Sequence, residues 1–396
     1  MNEHFSDVDY LLDGFEHVET VVDFRNRLKL GRPLNVKLGI DPTSPDLHLG
    51  FMVVLDKLQR FAQAGHQVTW IIGDFTARIG DPSGKNVTRP QLSSEEIEAN
   101  MQTYRRQAAK VIDLERIVVR YNSEWLEPLN VADLIGLLAK TTVAQMLERN
   151  DFANRYASGA AISLHEFLYP VAQAYDSVAV RSDVELGGSD QLFNLLLGRH
   201  YQREYGQPPQ ICATVPLLVG LDGQKKMSKS LGNYVGIDEP PAEQFGKLMK
   251  IADELIPVYA RLAAFRSQAD SDRLGADIVA GRANPMDEKK HLAQEIVARY
   301  HGSQAAGEAR DHFERTVQRK EIPAGELPEI DAGDCTRVAE LLVKAGFAQS
   351  RREAERLISG SGVKVDGIVV SDPRAAWSAA APAVLSVGSR KFVRVR

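Results

Sequence analysis

Two segments far apart in the chain carry side chains suited to holding phosphate. The first is Asp41-Pro42-Thr43-Ser44-Pro45-Asp46-Leu47-His48-Leu49-Gly50-Phe51. Thr43 and His48 can donate hydrogen bonds to phosphate oxygens as charge builds in a transition state. Gly50 withholds a side chain where a ligand would lie against a helix. The second segment is Gly220-Leu221-Asp222-Gly223-Gln224-Lys225-Lys226-Met227-Ser228-Lys229-Ser230, whose glycines permit movement and whose three lysines can clamp phosphate. Each has a plain alternative when taken alone, a capped helix with a surface histidine and a solvated basic loop. A third set, Tyr169, Gln173 and Asp176, falls at i, i+4 and i+7 of a helical stretch and so shares one face. A solvent face more often shows Lys and Glu. These three groups are the ones needed to hold an ammonium and a phenol hydroxyl.

Such groups need a scaffold that brings distant loops together. Asn35 to Ile40 reads as a buried strand, and the turn-rich Asp41–Asp46 follows it. Leu47, Phe51, Val54, Leu58 and Phe61 then repeat at helical spacing, with Gly65 placed as a C-cap. Strand (68–72), helix (97–111) and strand (117–121) come next. Helical text over 131–178 gives way to strand–helix–strand over 183–219. This alternation predicts a doubly wound parallel sheet, whose first crossover turn is where such sheets bind nucleotide. The new helix also points its free N–H groups into that crevice, which favours phosphate.

Further on, 240–319 reads as helical and 322–328 as an extended linker. Two short helices (336–358) and short strands (363–394), with turns at Asp366-Gly367 and Asp372-Pro373, complete a small mixed module. The expected division is a catalytic domain at 1–235, a helical domain at 236–320, a linker at 321–334 and a last domain at 335–396.

Charge is uneven. From Asp331 to Arg396 there are eleven Lys and Arg against seven Asp and Glu, in a chain whose net charge is −5. An acidic body with a basic end suggests a terminal region that meets a polyanion. Cys212 and Cys335 are the only cysteines, with no metal-ligand spacing, so neither zinc nor any other structural metal is expected. No apolar run approaches the roughly 20 residues needed to span a bilayer. Met1 to Asp13 carries acids and no basic leader, so a cytoplasmic protein is expected.

His48-Leu49-Gly50 at the first crossover, joined to Lys226-Met227-Ser228-Lys229-Ser230 after the last strand, resembles the class I aminoacyl-tRNA synthetases. The hallmarks of that family are the sequences HIGH and KMSKS, and the resemblance covers essentially the whole chain. It implies a Rossmann-like catalytic domain in which an amino-acid carboxylate attacks the α-phosphorus of Mg2+-bound ATP, with no protein nucleophile. It also implies that Lys226 and Lys229 hold the leaving pyrophosphate while Thr43 and His48 meet the γ-phosphate. Asp41, Gly50 and Ser230 join the ATP set.

The Tyr169–Asp176 pattern, with Gly187-Gly188-Ser189-Asp190-Gln191 downstream, resembles the tyrosyl branch in particular. By that resemblance Asp81, Tyr169 and Gln173 bind the α-ammonium group. Asp176 binds the phenol hydroxyl, Gln191 the carboxyl side, and Gly39 belongs to the same pocket. Gly188 and Asp190 bind the ribose of the adenylate. A site that hydrogen-bonds the hydroxyl can reject phenylalanine without editing. Gly80-Asp81-Pro82-Ser83-Gly84-Lys85 imitates a Walker A loop but has the wrong glycine spacing, and Asn86 stands where Ser or Thr would be needed. In the tyrosyl branch this loop is a further phosphate contact, so Lys85 and Arg89 are ATP candidates. The end of the chain resembles a small ribosomal-protein RNA-binding fold, with Arg351, Arg352, Arg356 and Lys364 as tRNA candidates. The branch implies tRNA(Tyr), L-tyrosine and ATP as partners, and a homodimer.

Two positions depart from the pattern. Phe51 replaces the second histidine of HIGH, and Lys37 stands where many members place a tyrosine that shares the substrate hydroxyl. The alternatives are a tryptophanyl relative, which the helix face and the terminal module weigh against, and an RNA-binding scaffold without activation activity.

Overall fold

The computed structural model describes residues 4–43, 45–81, 93–318, 327–377, 382–388 and 391–396. Two compact units divide the chain, Met1–Ser303 and Gln304–Arg396. The helices at Pro241–Leu248, Ile256–Leu262, Gln268–Val279 and Pro285–His301 lie in the first unit with the sheet.

The first unit is built on six strands: β1 (His17–Glu19), β2 (Asn35–Ile40), β3 (Gln67–Ile72), β4 (Ile117–Tyr121), β5 (Val184–Gly188) and β6 (Ile211–Val215). Their order is β1-β6-β5-β2-β3-β4, all parallel except β1, which runs antiparallel to β6. The chain moves outward from β2 through β3 to β4, then returns to lay β5 on the other side of β2. The reversal leaves a crevice beyond the carboxyl ends of β2 and β5, where doubly wound sheets bind their ligands.

Helix α1 (Leu49–Ala64) opens from the crevice. His48 caps its start, Leu49, Met52, Val53, Leu55 and Leu58 bury its inner face, and Gly65 ends it in the left-handed region at φ 94°. Helix α2 (Ser94–Ala108) begins with a reciprocal capping box between Ser93 and Glu96. Helix α3 (Leu168–Ala179) lays Val171, Ala174 and Val178 against Leu197 and Tyr201 of helix α4 (Leu192–Glu204). These contacts fix the roll of α3, and so the direction of its opposite face.

In the second unit five strands order as β7 (Glu329–Ile330), β11 (Lys391–Val395), β10 (Ala383–Val387), β8 (Val363–Val365) and β9 (Ile368–Val370). Helices Val338–Lys344 and Arg351–Ser359 complete a core of Leu341, Leu342, Ala354, Ile358, Leu385 and Val393. The β8–β9 hairpin turns on Asp366 (φ 47°) and Gly367 (φ 80°), the conformation a two-residue primed turn requires. The sheet claims Glu329 and Ile330, which the sequence assigns to a linker, because Arg394 and Val395 offer them a parallel edge.

Candidate active site

Three loops and one helix face converge on the crevice. After β2 the chain turns through Asp41, and Thr76 Oγ1 donates to Asp41 Oδ1 at 2.7 Å. Gly73 makes that approach possible, since a Cβ there would sit 1.9 Å from the same carboxylate oxygen. Thr43 N–H donates back to Asp41 O at 2.8 Å, closing a tight turn.

The His48 imidazole accepts the Gly50 N–H at Nδ1 (3.2 Å), which leaves the proton on Nε2. Burial, reinforced by the charges of Lys229 and Lys226, drives the ring down to about 3, so it stays neutral at physiological pH and offers one N–H donor. Gly50 serves the histidine directly: a Cβ would lie 3.0 Å from both Cε1 and Nδ1 of the ring. The Phe51 ring packs at 4.6 Å from His48 and 6.5 Å from the buried Tyr104.

The basic segment after β6 is a braced turn. Asn233 holds it from inside, its Oδ1 accepting from Ser228 N–H (2.8 Å) and its Nδ2 donating to Asp222 Oδ2 (2.8 Å) and Lys226 O (3.1 Å). Gly220 admits Asn233 closely, because a Cβ would fall 2.2 Å from its Nδ2, so this glycine answers to close approach. Lys226 Nζ donates to Asp190 Oδ2 at 2.5 Å, and Lys229 Nζ donates to the Asp46 carbonyl. The two signature segments are therefore in contact. Ser230 is exposed, its hydroxyl 3.0 Å from that of Ser228.

The amino-acid side of the crevice is buried. Lys37, Gly39 and Asp41 alternate to one face of β2. Gly39 is exposed on this otherwise buried central strand, and a Cβ there would meet nothing within 4 Å, so it forms an open floor. From α3, Asp176 and Tyr169 are buried and Gln173 is partly so, which excludes a solvent face. Trp125 Nε1 donates to Asp176 Oδ1 at 2.8 Å and Asn122 Nδ2 approaches Oδ2 at 3.5 Å. Burial pushes the Asp176 carboxyl up to about 7, against the opposing pull of Lys37 and these two donors. Asp81 accepts from Gln191 Nε2 at 3.1 Å, and Asn194 donates to Gln191 Oε1 at 2.9 Å. Gly188 lets Asp190 close in, since a Cβ would lie 2.9 Å from its Oδ1.

The contacts of Lys229 with Asp46 and of Lys226 with Asp190 join the basic segment to the turn before His48 and to the end of β5. Asp41 is tied the other way, through Thr76 and Asn122, to Asp176 on α3, the helix that also carries Tyr169 and Gln173. Lys85 and Arg89 lie outside the described residues.

Sequence reasoning misses Gln107 on α2. Its Oε1 accepts the Leu47 N–H, and its Nε2 donates to Asp46 Oδ1 and Asp238 Oδ2, both at 3.0 Å. With Asn100 Nδ2 on Pro42 O at 2.8 Å, α2 carries the turn that precedes His48. Trp125 and Asn122 are missed as well.

A family profile described as tRNA synthetases class I (W and Y) matches residues 29–318, and one described as S4 domain matches 336–375. The chain belongs to the class I tRNA synthetases. Within that family it is 53% identical, over 92% of its length and 92% of the relative's, to the tyrosine–tRNA ligase of Ralstonia nicotianae. It is 50% identical, over 93% of its length and 92% of the relative's, to that of Thermotoga maritima. Among solved structures, tyrosyl-tRNA synthetase complexed with L-tyrosine from Archaeoglobus fulgidus aligns with TM-score 0.63 at 22% identity, covering 76% of this chain and 98% of that one. That likeness shows that the synthetase fold is shared. The small second sheet with its two helices is the S4 domain of this synthetase.

In the S4 domain the tRNA candidates sit unequally. Arg352 and Arg356 are exposed on helix Arg351–Ser359, whereas Arg351 lies 3.6 Å from both Glu340 and Glu355. Lys364 lies on β8, between the inward-facing Val363 and Val365.

Proposed function

We propose that this synthetase activates L-tyrosine with ATP, giving tyrosyl-adenylate and pyrophosphate, and transfers the tyrosyl group to the 3′-terminal adenosine of tRNA(Tyr). The observation that carries the reading is the buried Asp176, held by Trp125 and Asn122 in a chain whose relatives are named tyrosine–tRNA ligase. A carboxylate there accepts from the phenol hydroxyl, and a phenylalanine ring would leave it without that partner.

In the reaction, ATP as its Mg2+ complex lies toward Thr43, His48, Lys226 and Lys229. The neutral imidazole gives its Nε2–H to a phosphate oxygen, and the two ammonium groups take up charge as pyrophosphate departs. Asp41 and Gly50 hold the turn and the ring that make this possible. Asp190 and Gly188 meet the ribose, and Asp81, Gln191, Tyr169 and Gln173 meet the backbone of the amino acid. Lys85, Arg89 and Ser230 are assigned as further phosphate contacts. Arg351, Arg352, Arg356 and Lys364 bind tRNA.

A second copy of the chain completes the enzyme. Val131, Ile135 and Leu138 project from one face of helix Val131–Leu138, and Val131 and Ile135 are 74% and 62% exposed. A face this apolar is suited to burial against another protein surface. The cytoplasm, where tRNA and ATP meet, is its place.

ATP–pyrophosphate exchange with each amino acid in turn tests the assignment. Tyrosine alone is expected to drive it strongly, and equal exchange with tryptophan or phenylalanine would overturn the substrate. Asp176→Ala should abolish the preference for tyrosine over phenylalanine while leaving the KM for ATP near the parent value. The pH profile has a definite sign. Protonation below about 7 removes the carboxylate acceptor, so tyrosine affinity should fall as pH drops through that value, and Asp176→Asn should flatten the dependence.

Phe51→His is expected to keep or raise exchange activity, because the regained donor points toward the nucleotide. A severe loss would show that the phenyl ring is needed to hold His48 in place.

A further inference from the structure

Lys37 is a lysine on the central strand of the sheet, 1% exposed, where a charge must be paired to be tolerated. Its Nζ lies 3.0 Å from Oε1 of Glu185, itself 1% exposed and directly opposite in register on β5. The same ammonium donates to the backbone carbonyl of Gln173 at 3.4 Å.

Glu185 accepts hydrogen bonds on every side. Oε1 receives Lys37 and the Gln173 Nε2 at 3.3 Å; Oε2 receives Ser177 Oγ at 3.1 Å and Gln210 Nε2. An ionised carboxylate has no donor to give. The Gln173 amide can therefore face it only through its NH2 group, since the reversed amide would set oxygen against oxygen. Gln173 Oε1 is consequently turned away from Glu185, buried, and without a hydrogen-bond partner among the described residues. Lys37 and the Gln173 Nε2 share Oε1 of Glu185, so the ammonium fixes the carboxylate edge on which the amide rests.

We propose that Lys37 and Glu185 form a positioning pair that sets the direction of the Gln173 amide, so that its oxygen is the acceptor presented to the substrate's ammonium group. The inference rests on the tyrosine-activating function proposed above. It gives Lys37 a role unlike that of a tyrosine at the same position: besides its pull on Asp176, it acts on the amine end of the substrate through Glu185 and Gln173.

The test uses full-length Glu185→Gln, close in shape to the parent, and Lys37→Met. Binding of three ligands is measured by calorimetry without ATP: L-tyrosine; tyrosinol, which keeps the ammonium; and 3-(4-hydroxyphenyl)propanoate, which lacks it. Glu185→Gln is expected to bind L-tyrosine and tyrosinol roughly tenfold more weakly or worse, and the propanoate at least as well as the parent does; Lys37→Met, which also loses its pull on Asp176, should weaken the two amines roughly tenfold more than it weakens the propanoate. The KM for ATP at saturating tyrosine should not change. Equal weakening of all three ligands, the signature of a loosened pocket, would overturn the proposal, as would unchanged binding of tyrosinol to Glu185→Gln. Should Lys37→Met fail to fold, Glu185→Gln alone decides. A parent chain that binds none of the three would overturn the functional reading, and the inference with it.

Discussion

A Lys229→Ala chain is expected to form tyrosyl-adenylate roughly a hundred- to a thousandfold more slowly than the parent, with tyrosine binding almost unchanged. Lys229 sits at the end of the braced turn, half buried, with its ammonium on the Asp46 carbonyl. Burial pulls it down to about 8, with Asp46 opposing, so most molecules still carry the charge at neutral pH. An added phosphate nearby would strengthen that charge further. A contact to departing pyrophosphate grows as negative charge develops, so its loss falls on the chemical step. Single-turnover kinetics with a separate tyrosine titration will check this. Collapse of tyrosine affinity with an intact chemical step would place Lys229 in the wrong half of the site.

Ending the chain after Gln318 should separate the two halves of the reaction. The synthetase profile ends at that residue, and the S4 match begins at 336. A cut near Asp331 would be worse, because Glu329 and Ile330 would remain as a strand with no sheet to join. Pyrophosphate exchange is expected to survive, since the crevice and the groups around it are retained. Charging of tRNA should fall by orders of magnitude, because the Lys and Arg side chains that displace counterions from RNA are gone. In the intact chain, tRNA affinity should drop steeply with added salt while exchange does not. A truncated chain that charges tRNA as well as the parent would remove the S4 domain from the binding surface.

Much of this was legible in the sequence, and the reasons differ by element. The strand–turn–helix from Asn35 to Ala64 shows because an apolar run, a Pro- and Asp-rich turn, a helical repeat and a C-cap glycine all agree. The face of Tyr169, Gln173 and Asp176 shows because helical spacing is a local property. Gln107 does not: it looks like one more polar residue in Ser94–Ala108, and its three hydrogen bonds exist only once α2 packs over the turn at Asp46. Trp125 and Asn122 reach Asp176 from the end of β4, across a sheet order no spacing reveals. Strand β1 is three residues long, too short for any alternation to register. The Lys37–Glu185 pair needs the β2–β5 register, which joins strands far apart in sequence. Local signals travel along the chain; the missing parts of the site are all made by contact across it.

Lys226 and Lys229 are both already held, one by Asp190 and one by Asp46. A lysine that is free in solvent carries about 2 kcal/mol of rotamer entropy, which a ligand must overcome to fix it. In this synthetase that ordering accompanies folding. With the phosphate role proposed for them, the ligand would arrive at side chains that are confined from the start, and its binding would be an exchange of partners, from carboxylate and carbonyl oxygen to phosphate oxygen. On that proposal the motion needed at the moment of catalysis would be correspondingly small: a shift of two ammonium groups between neighbouring acceptors, with little new order imposed on the loop that carries them.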